Sequence, residues 1–333
     1  MKININKIKD KKYSLWIILF LSSIIIILII IITITPVDKN LKSTITHDGH
    51  GSFVFTNPIL DCEIDKSLDN SNIFYKDVKN KVEELKNKYS LSVFSFYFRD
   101  LNNGEWVGVD EKEVFSPASL LKVPIFMALL NDAQTDQSIL DKKITVMDTD
   151  FIKDVSPNII SKDLLEIGKE YTLLDVAKSM VDKSDNTAIS IILRNIKQNS
   201  FNDVFKSIGV PLVSVGNDFE IRNKDYAGFF RVLFNASYLN REMSEKALLT
   251  LTQSDYVDGI IGGVPKNVVV AHKFGERNIE GTKGNIQLHD CGIVYYPNKP
   301  YIFCAMTHGD SFKDQTKAIK ELSGYVYNIV DKN

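Results

Sequence analysis

Lysines open the chain (Lys2, Lys7, Lys9, Lys11, Lys12), and an unbroken apolar run follows from Leu15 to Ile32. Only the uncharged Ser22 and Ser23 interrupt it. A run of this length can cross a bilayer as one helix. The pattern therefore predicts a cytoplasmic basic tail over 1–13 and a transmembrane anchor over 14–35, with the rest of the chain extracytoplasmic. A cleaved signal peptide has the same order of charge, but no small-residue cleavage site follows Ile32, so an uncleaved anchor is favoured. Residues 36–70 are rich in Asp, Asn, Ser and Thr and read as a polar stem.

From residue 71 onward the rhythm is that of a folded domain. "YKDVKNKVEELKNKY" (75–89) puts Val78, Val82 and Leu85 on one helical stripe. "LSVFSFYFRD" (91–100) and "EWVGVD" (105–110) read as strands joined by the turn "LNNG", a hairpin signal. From about 119 to 250 apolar residues recur at three-to-four spacing, with Asn223 or Asp225 as candidate caps of the helix that follows. Strands return at 267–276, 285–297 and 301–309, and a helix over about 311–331 closes the chain. This order implies an α+β fold. An antiparallel sheet is built from both ends of the domain (about 71–115 and 265–333), and a helical subdomain is inserted between them (about 116–264). A cleft should form between sheet and helices.

Composition changes this picture little. The 333 residues are 44% hydrophobic and 25% charged, with a net charge of −2 and no basic stripe, which gives nucleic-acid binding no electrostatic support. Three cysteines are too few for a disulfide scaffold. Cys291 and Cys304 lie symmetrically about the turn "PNKP", where either a disulfide or two buried thiols would fit; Cys62 reads as unpaired. No Cys/His spacing suggests zinc, and His47 and His50 sit in the polar stem, so neither metal nor organic cofactor is expected.

The chemistry starts at "FSPASLLKVPIF" (115–126), where Ser119 stands three residues before Lys122 at the head of a helical run. Taken singly, Ser119 could be a cap and Lys122 a snorkelling rim residue. Two further segments change the weight: Ser184-Asp185-Asn186, 65 residues after Ser119, and Lys273-Phe274-Gly275, 154 residues after it on a predicted strand. S-x-x-K, S-D-N and a K-T-G-like triplet, in this order, resemble the penicillin-binding and class A β-lactamase serine hydrolases from roughly Tyr75 to the C-terminus. The resemblance implies a serine nucleophile at Ser119, with Lys122 as its base. Positions i and i+3 share a helix face, and lysine acts as a base when burial and a second cation depress its pKa. It further implies Lys273 as that second cation, Ser184 as proton relay to the leaving nitrogen and Asn186 as a substrate contact. The oxyanion hole would come from the backbone N–H groups of Ser119 and of Glu276, just past Gly275.

Three departures temper the activity. The class A family carries a glutamate in an E-x-x-L-N loop after S-D-N that activates the deacylating water. Here the nearest acids are Asp218 and Glu220; Glu220 has the wrong spacing to Asn223, and Glu166 precedes S-D-N. Phe274 replaces the hydroxyl residue of the third motif. The following strand lacks an arginine for a substrate carboxylate, with Arg277 or His289 as possible substitutes. The expected function is a membrane-anchored monomeric hydrolase that opens a β-lactam through an acyl-enzyme on Ser119. The alternatives are a D-alanyl-D-alanine peptidase-type enzyme acting on peptidoglycan peptide, and a non-catalytic cell-wall-peptide-binding domain.

Overall fold

A computed structural model describes residues 53–58, 67–68, 72–151, 161–211, 213–215, 218–278 and 286–332. The tail, the anchor, Cys62, His47 and His50 lie outside the described residues. Among the described residues no helix is long and apolar enough to cross a membrane.

Helix α1 (Ile73–Lys88) starts where Asn72 Oδ1 accepts the N–H of Tyr75, and it buries the stripe Val78, Val82 and Leu85. Strands β1 (Val93–Asp100) and β2 (Trp106–Val109) form the hairpin expected from the sequence. The C-terminal strands β8 (Val270–Arg277), β9 (Ile286–Val294) and β10 (Tyr301–Gly309) complete an antiparallel five-stranded sheet in the order β2-β1-β10-β9-β8. The closing helix, Phe312–Lys332, is α9. Because successive strand residues point to opposite faces, the sheet sorts its side chains into two cores. Phe94, Phe96, Phe98, Phe303 and Ala305 pack with α1 and α9 on one face. Tyr97, Ile302, Cys304, Met306 and Cys291 face the helical block on the other.

That block contains α2 (Lys122–Ala133), α3 (Leu173–Asp182), α4 (Thr187–Asn195), α5 (Ser200–Ile208), α6 (Asn223–Phe234), α7 (Arg241–Leu251) and the single turn α8 (Ile260–Gly263). Helix α2 is buried nearly all round, as a mean composition of Val, Ile, Phe, Met, Ala and Leu demands. Pro124 falls in its first turn, where few backbone bonds are lost. The block is not purely helical. Short strands β3 (Val114–Phe115), β6 (Val213–Val215) and β7 (Asp218–Arg222) form one small sheet, and β4 (Lys143–Thr145) pairs with β5 (Glu170–Thr172). Strands of two to five residues carry too little periodicity to be read from a helical background.

Two details differ from the sequence reading, and one that it left open, the state of Cys291 and Cys304, is decided. Neither Asn223 nor Asp225 caps α6: Asn223 is fully buried and donates to Ser95 Oγ (2.9 Å) and Cys304 O (3.2 Å), tying α6 to the sheet. Cys291 and Cys304, directly opposite in the β9–β10 register and fully buried, form a disulfide. Part of the segment read as stem is packed on the domain. Glu245 of α7, 8% exposed, accepts the backbone N–H groups of Val54, Phe55 (2.8 Å) and Thr56 (2.9 Å). Asn57 N–H donates to Phe234 O (2.8 Å), and Tyr295 O–H donates to Phe55 O (3.0 Å).

Glu245→Ala leaves three backbone donors without their acceptor, one of them, at Thr56, buried away from water. It should lower the unfolding free energy by about 2 kcal/mol or more, and Glu245→Gln, which keeps an acceptor, should lose less. Urea denaturation of the two variants checks both the size and the order.

Candidate active site

Ser119 sits in the 3₁₀ turn Ala118–Leu121 that leads into α2, half-buried. The turn is clamped from three sides. Tyr226 of α6, fully enclosed, donates its O–H to Leu120 O (2.9 Å). Just upstream, Ser116 O lies 3.1 Å from His289 Nε2, and Ser116 Oγ accepts from Arg277 Nη1 (2.5 Å). Strand β8 presses on it at Gly275, where an added Cβ would stand 2.9 Å from Pro117 O and 3.1 Å from Leu120 N. Only a residue without a side chain lets strand and turn approach this closely. Ala118, next to the serine, has φ +48°, a left-handed conformation that an alanine adopts only when its surroundings impose it.

Lys122 and Lys273 are both fully buried and meet at the hydroxyl of Ser184. Lys122 Nζ donates to Ser184 Oγ (2.9 Å), Ser184 O (2.5 Å) and Asn186 Oδ1 (2.7 Å). Lys273 Nζ donates to Ser184 Oγ (3.0 Å) and Phe274 O (3.1 Å), and stands 4.1 Å from the Phe274 ring centroid. The i,i+3 bond from Lys122 to Ser119 Oγ suggested by spacing is not among the bonds Lys122 makes; its amine turns to the α3–α4 loop. Ser184 offers its hydroxyl there from a left-handed backbone, φ +56°. Asp185 holds that loop: its carboxylate accepts from Leu165 N (2.9 Å), Ser179 Oγ (3.1 Å) and Thr187 N (2.9 Å).

Burial, then the charge of Lys273, pushes the Lys122 ammonium well below the usual lysine value, with Asp185 and Glu276 opposing. Burial pulls Lys273 down to about 7 against the pull of Asp290, Asp182 and Glu276. A buried neutral Lys122 has two N–H bonds for Ser184 O and Asn186 Oδ1 and one lone pair for the Ser184 proton. The arrangement can therefore pass a proton along Lys122, Ser184 and Lys273 without any group moving far.

A family described as Beta-lactamase enzyme family matches residues 77–330. The chain belongs to that family. Among its relatives is β-lactamase VEB-1 of Pseudomonas aeruginosa, 24% identical over 240 residues, covering 66% of this chain and 76% of that one. The fold is shared with an acyl-enzyme complex of a PBP-A point mutant with penicillin G (TM-score 0.66, 21% identity, 78% of this chain and 97% of that one). It is shared also with a class A β-lactamase from Mycobacterium abscessus (TM-score 0.65, 16% identity, 76% and 99%).

Within this family's frame the departures take a physical form. Glu220 lies half-buried on β7, paired with Val213, and no hydrogen bond among the described residues joins it to Lys122, Ser184 or Lys273. Glu166 is exposed and paired with Lys169 (2.6 Å). His289 is sealed between Ser116 and Gln287, and burial drives its pKa down to about 3, so it is neutral and offers no cation to a carboxylate. Arg277 is the cation that reaches the turn before Ser119, through Ser116. Phe274, 3% exposed, packs at a tilt against Tyr256 (centroids 4.6 Å apart) and under Lys273 Nζ. Behind the strand lies a pair that the sequence reading passed over. His272 Nδ1 and Asp290 Oδ1 are 2.7 Å apart, both fully buried, and Asp290 Oδ2 accepts from Ile260 N (2.8 Å). Eighteen residues separate the two, and neither stands in a motif, so no local signal joins them. Among the described residues no group of three or more His, Cys, Asp or Glu side chains could hold a metal.

Because Lys273 titrates near 7 when folded and at its ordinary 10.5 when unfolded, the unfolded chain binds the extra proton between these values. Stability should then rise with pH across that window. The rise of the melting temperature from neutral to alkaline pH should flatten in Lys273→Met. Gly275→Ala should force β8 off the serine turn and slow any chemistry at Ser119 by about a hundredfold, read as a rate with the far-ultraviolet spectrum unchanged.

Proposed function

We propose that the protein is an active-site-serine hydrolase that opens a β-lactam amide through an acyl-enzyme on Ser119. The observation that carries the reading is the Ser184 hydroxyl held 2.9 Å from Lys122 Nζ and 3.0 Å from Lys273 Nζ, with Ser119 in the turn that leads into the Lys122 helix. As Oγ attacks the carbonyl carbon, neutral Lys122 takes the Ser119 proton, its lone pair turning from the Ser184 hydroxyl to Ser119 Oγ. The backbone N–H groups of Ser119 and Glu276 stabilise the oxyanion. The proton then passes through Ser184 to the nitrogen as the C–N bond breaks, and Asn186 and Lys273 orient the substrate. Membrane anchoring through 14–35 and an extracytoplasmic domain belong to the same proposal; the Cys291–Cys304 disulfide, which persists in oxidising compartments, supports it.

A second reading concerns the next step. The glutamate of the E-x-x-L-N loop has no counterpart at the right spacing, Glu220 being misplaced relative to Asn223, and this favours slow deacylation, as in a penicillin-binding peptidase.

Mass spectrometry after incubation with benzylpenicillin should show the intact drug on the Ser119 peptide, and none in Ser119→Ala. Lys122→Ala should slow acylation by at least about a hundredfold. The rate should climb as Lys122 loses its proton and decline above about pH 7 as the Lys273 charge disappears. A lasting adduct identifies the slow form and rapid turnover the β-lactamase. Neither adduct nor turnover with several β-lactams would leave only the peptide-binding domain.

A further inference from the structure

A second concavity, of about 270 Å³, opens between the sheet and α6, and it contains none of the motif residues. Its floor is Arg99 of β1, 8% exposed, between Tyr97 and Ile302. Its wall is α6, where Lys224, Gly228 and Arg231 form one stripe at i, i+4 and i+7. The lining thus carries three cations, Arg99, Lys224 and Arg231, against one carboxylate, Asp225.

Gly228 is the telling residue. A glycine inside a helix costs roughly 0.5–1 kcal/mol relative to alanine, so its place needs a reason. Packing supplies none: a Cβ there would meet nothing closer than Val210 Cγ2 at 3.9 Å, an ordinary contact. Its backbone is not left-handed either. The missing side chain leaves open volume between two cations and above a third. A guanidinium stays charged at any working pH, and burying it is costly unless negative charge is near. Both arginines have interactions within the protein, and an anion would add to these rather than replace them.

We propose that this cleft binds a small oxyanion, a carboxylate or a phosphate, through Arg99, Lys224 and Arg231. The guanidinium fork matches two oxygens of such a group, and an ammonium supplies a point charge beside it. The volume suits one small acid and not a peptide. The proposal is independent of the chemistry at Ser119.

The structure also supplies the reporter. Lys224 Nζ stands 3.7 Å from the centroid of the Trp106 ring. An anion that draws this ammonium away should change Trp106 emission. The full chain carrying Trp16→Phe leaves Trp106 as the sole tryptophan of the original two. It would be titrated with sodium phosphate and, separately, sodium succinate, at ionic strength held constant with sodium chloride. The expected result is a saturable change with one or both, and the two arms tell phosphate from carboxylate. Arg231→Gln should weaken the apparent Kd at least about tenfold. Gly228→Leu, which fills the space, should abolish saturation while leaving penicillin acylation of Ser119 unchanged. A response no different from chloride alone, or one of equal affinity in Arg231→Gln, overturns the proposal. If Gly228→Leu does not fold, the arginine variant decides.

Discussion

Two buried amines share one half-buried hydroxyl, and much of the domain is arranged around that arrangement. Lys122 comes from the first turn of α2, Ser184 from the α3–α4 loop and Lys273 from β8, and all three side chains converge within hydrogen-bond reach. Burying two like-charged groups side by side is unfavourable, and it lowers the pKa of both lysines, Lys273 to about 7. A lysine whose pKa is lowered in this way gives up its proton more readily than a surface lysine. Asp185, Asp182, Glu276 and Asp290 oppose the shift without cancelling it.

The cost of assembling such a site is borne by its surroundings. Ala118 and Ser184 both take left-handed backbone conformations, one next to Ser119 and one between the two lysines. Such positions persist only where neighbouring contacts over-determine them. Here those contacts are identifiable: Tyr226 on Leu120, His289 and Arg277 on Ser116, Gly275 against Pro117, and the Asp185 carboxylate with its three donors. They come from α6, β8, β9 and the α3–α4 loop, so the serine turn depends on both halves of the domain at once.

The same dependence explains the replacements. With Phe274 turned to Tyr256 and His289 closed off and neutral, the cleft keeps the proton-handling groups and has fewer groups for a carboxylate.

The elements of the large sheet, α1 and the closing helix were legible because their apolar periods are long: Val78, Val82 and Leu85 on α1, and alternating aromatics on β1. The three motifs were legible because each is local, a few residues at fixed spacing. The short strands β3 to β7 were not, since two to five residues cannot outvote a helical background. The caps offered for α6 failed for a related reason: Asn223 has the right chemistry for a cap, but the sheet at Ser95 and Cys304 claims its amide first. By itself, the chain determined the α+β order, the family and the side chains available for catalysis, because periodicity and motif spacing act over neighbouring residues. Only the tertiary structure decided that Lys122 turns to Ser184 and Asn186, that His289 is sealed, that Cys291 bonds Cys304 and that three cations gather over Gly228. Each of these joins residues far apart in sequence, and their meeting depends on how sheet and helices pack.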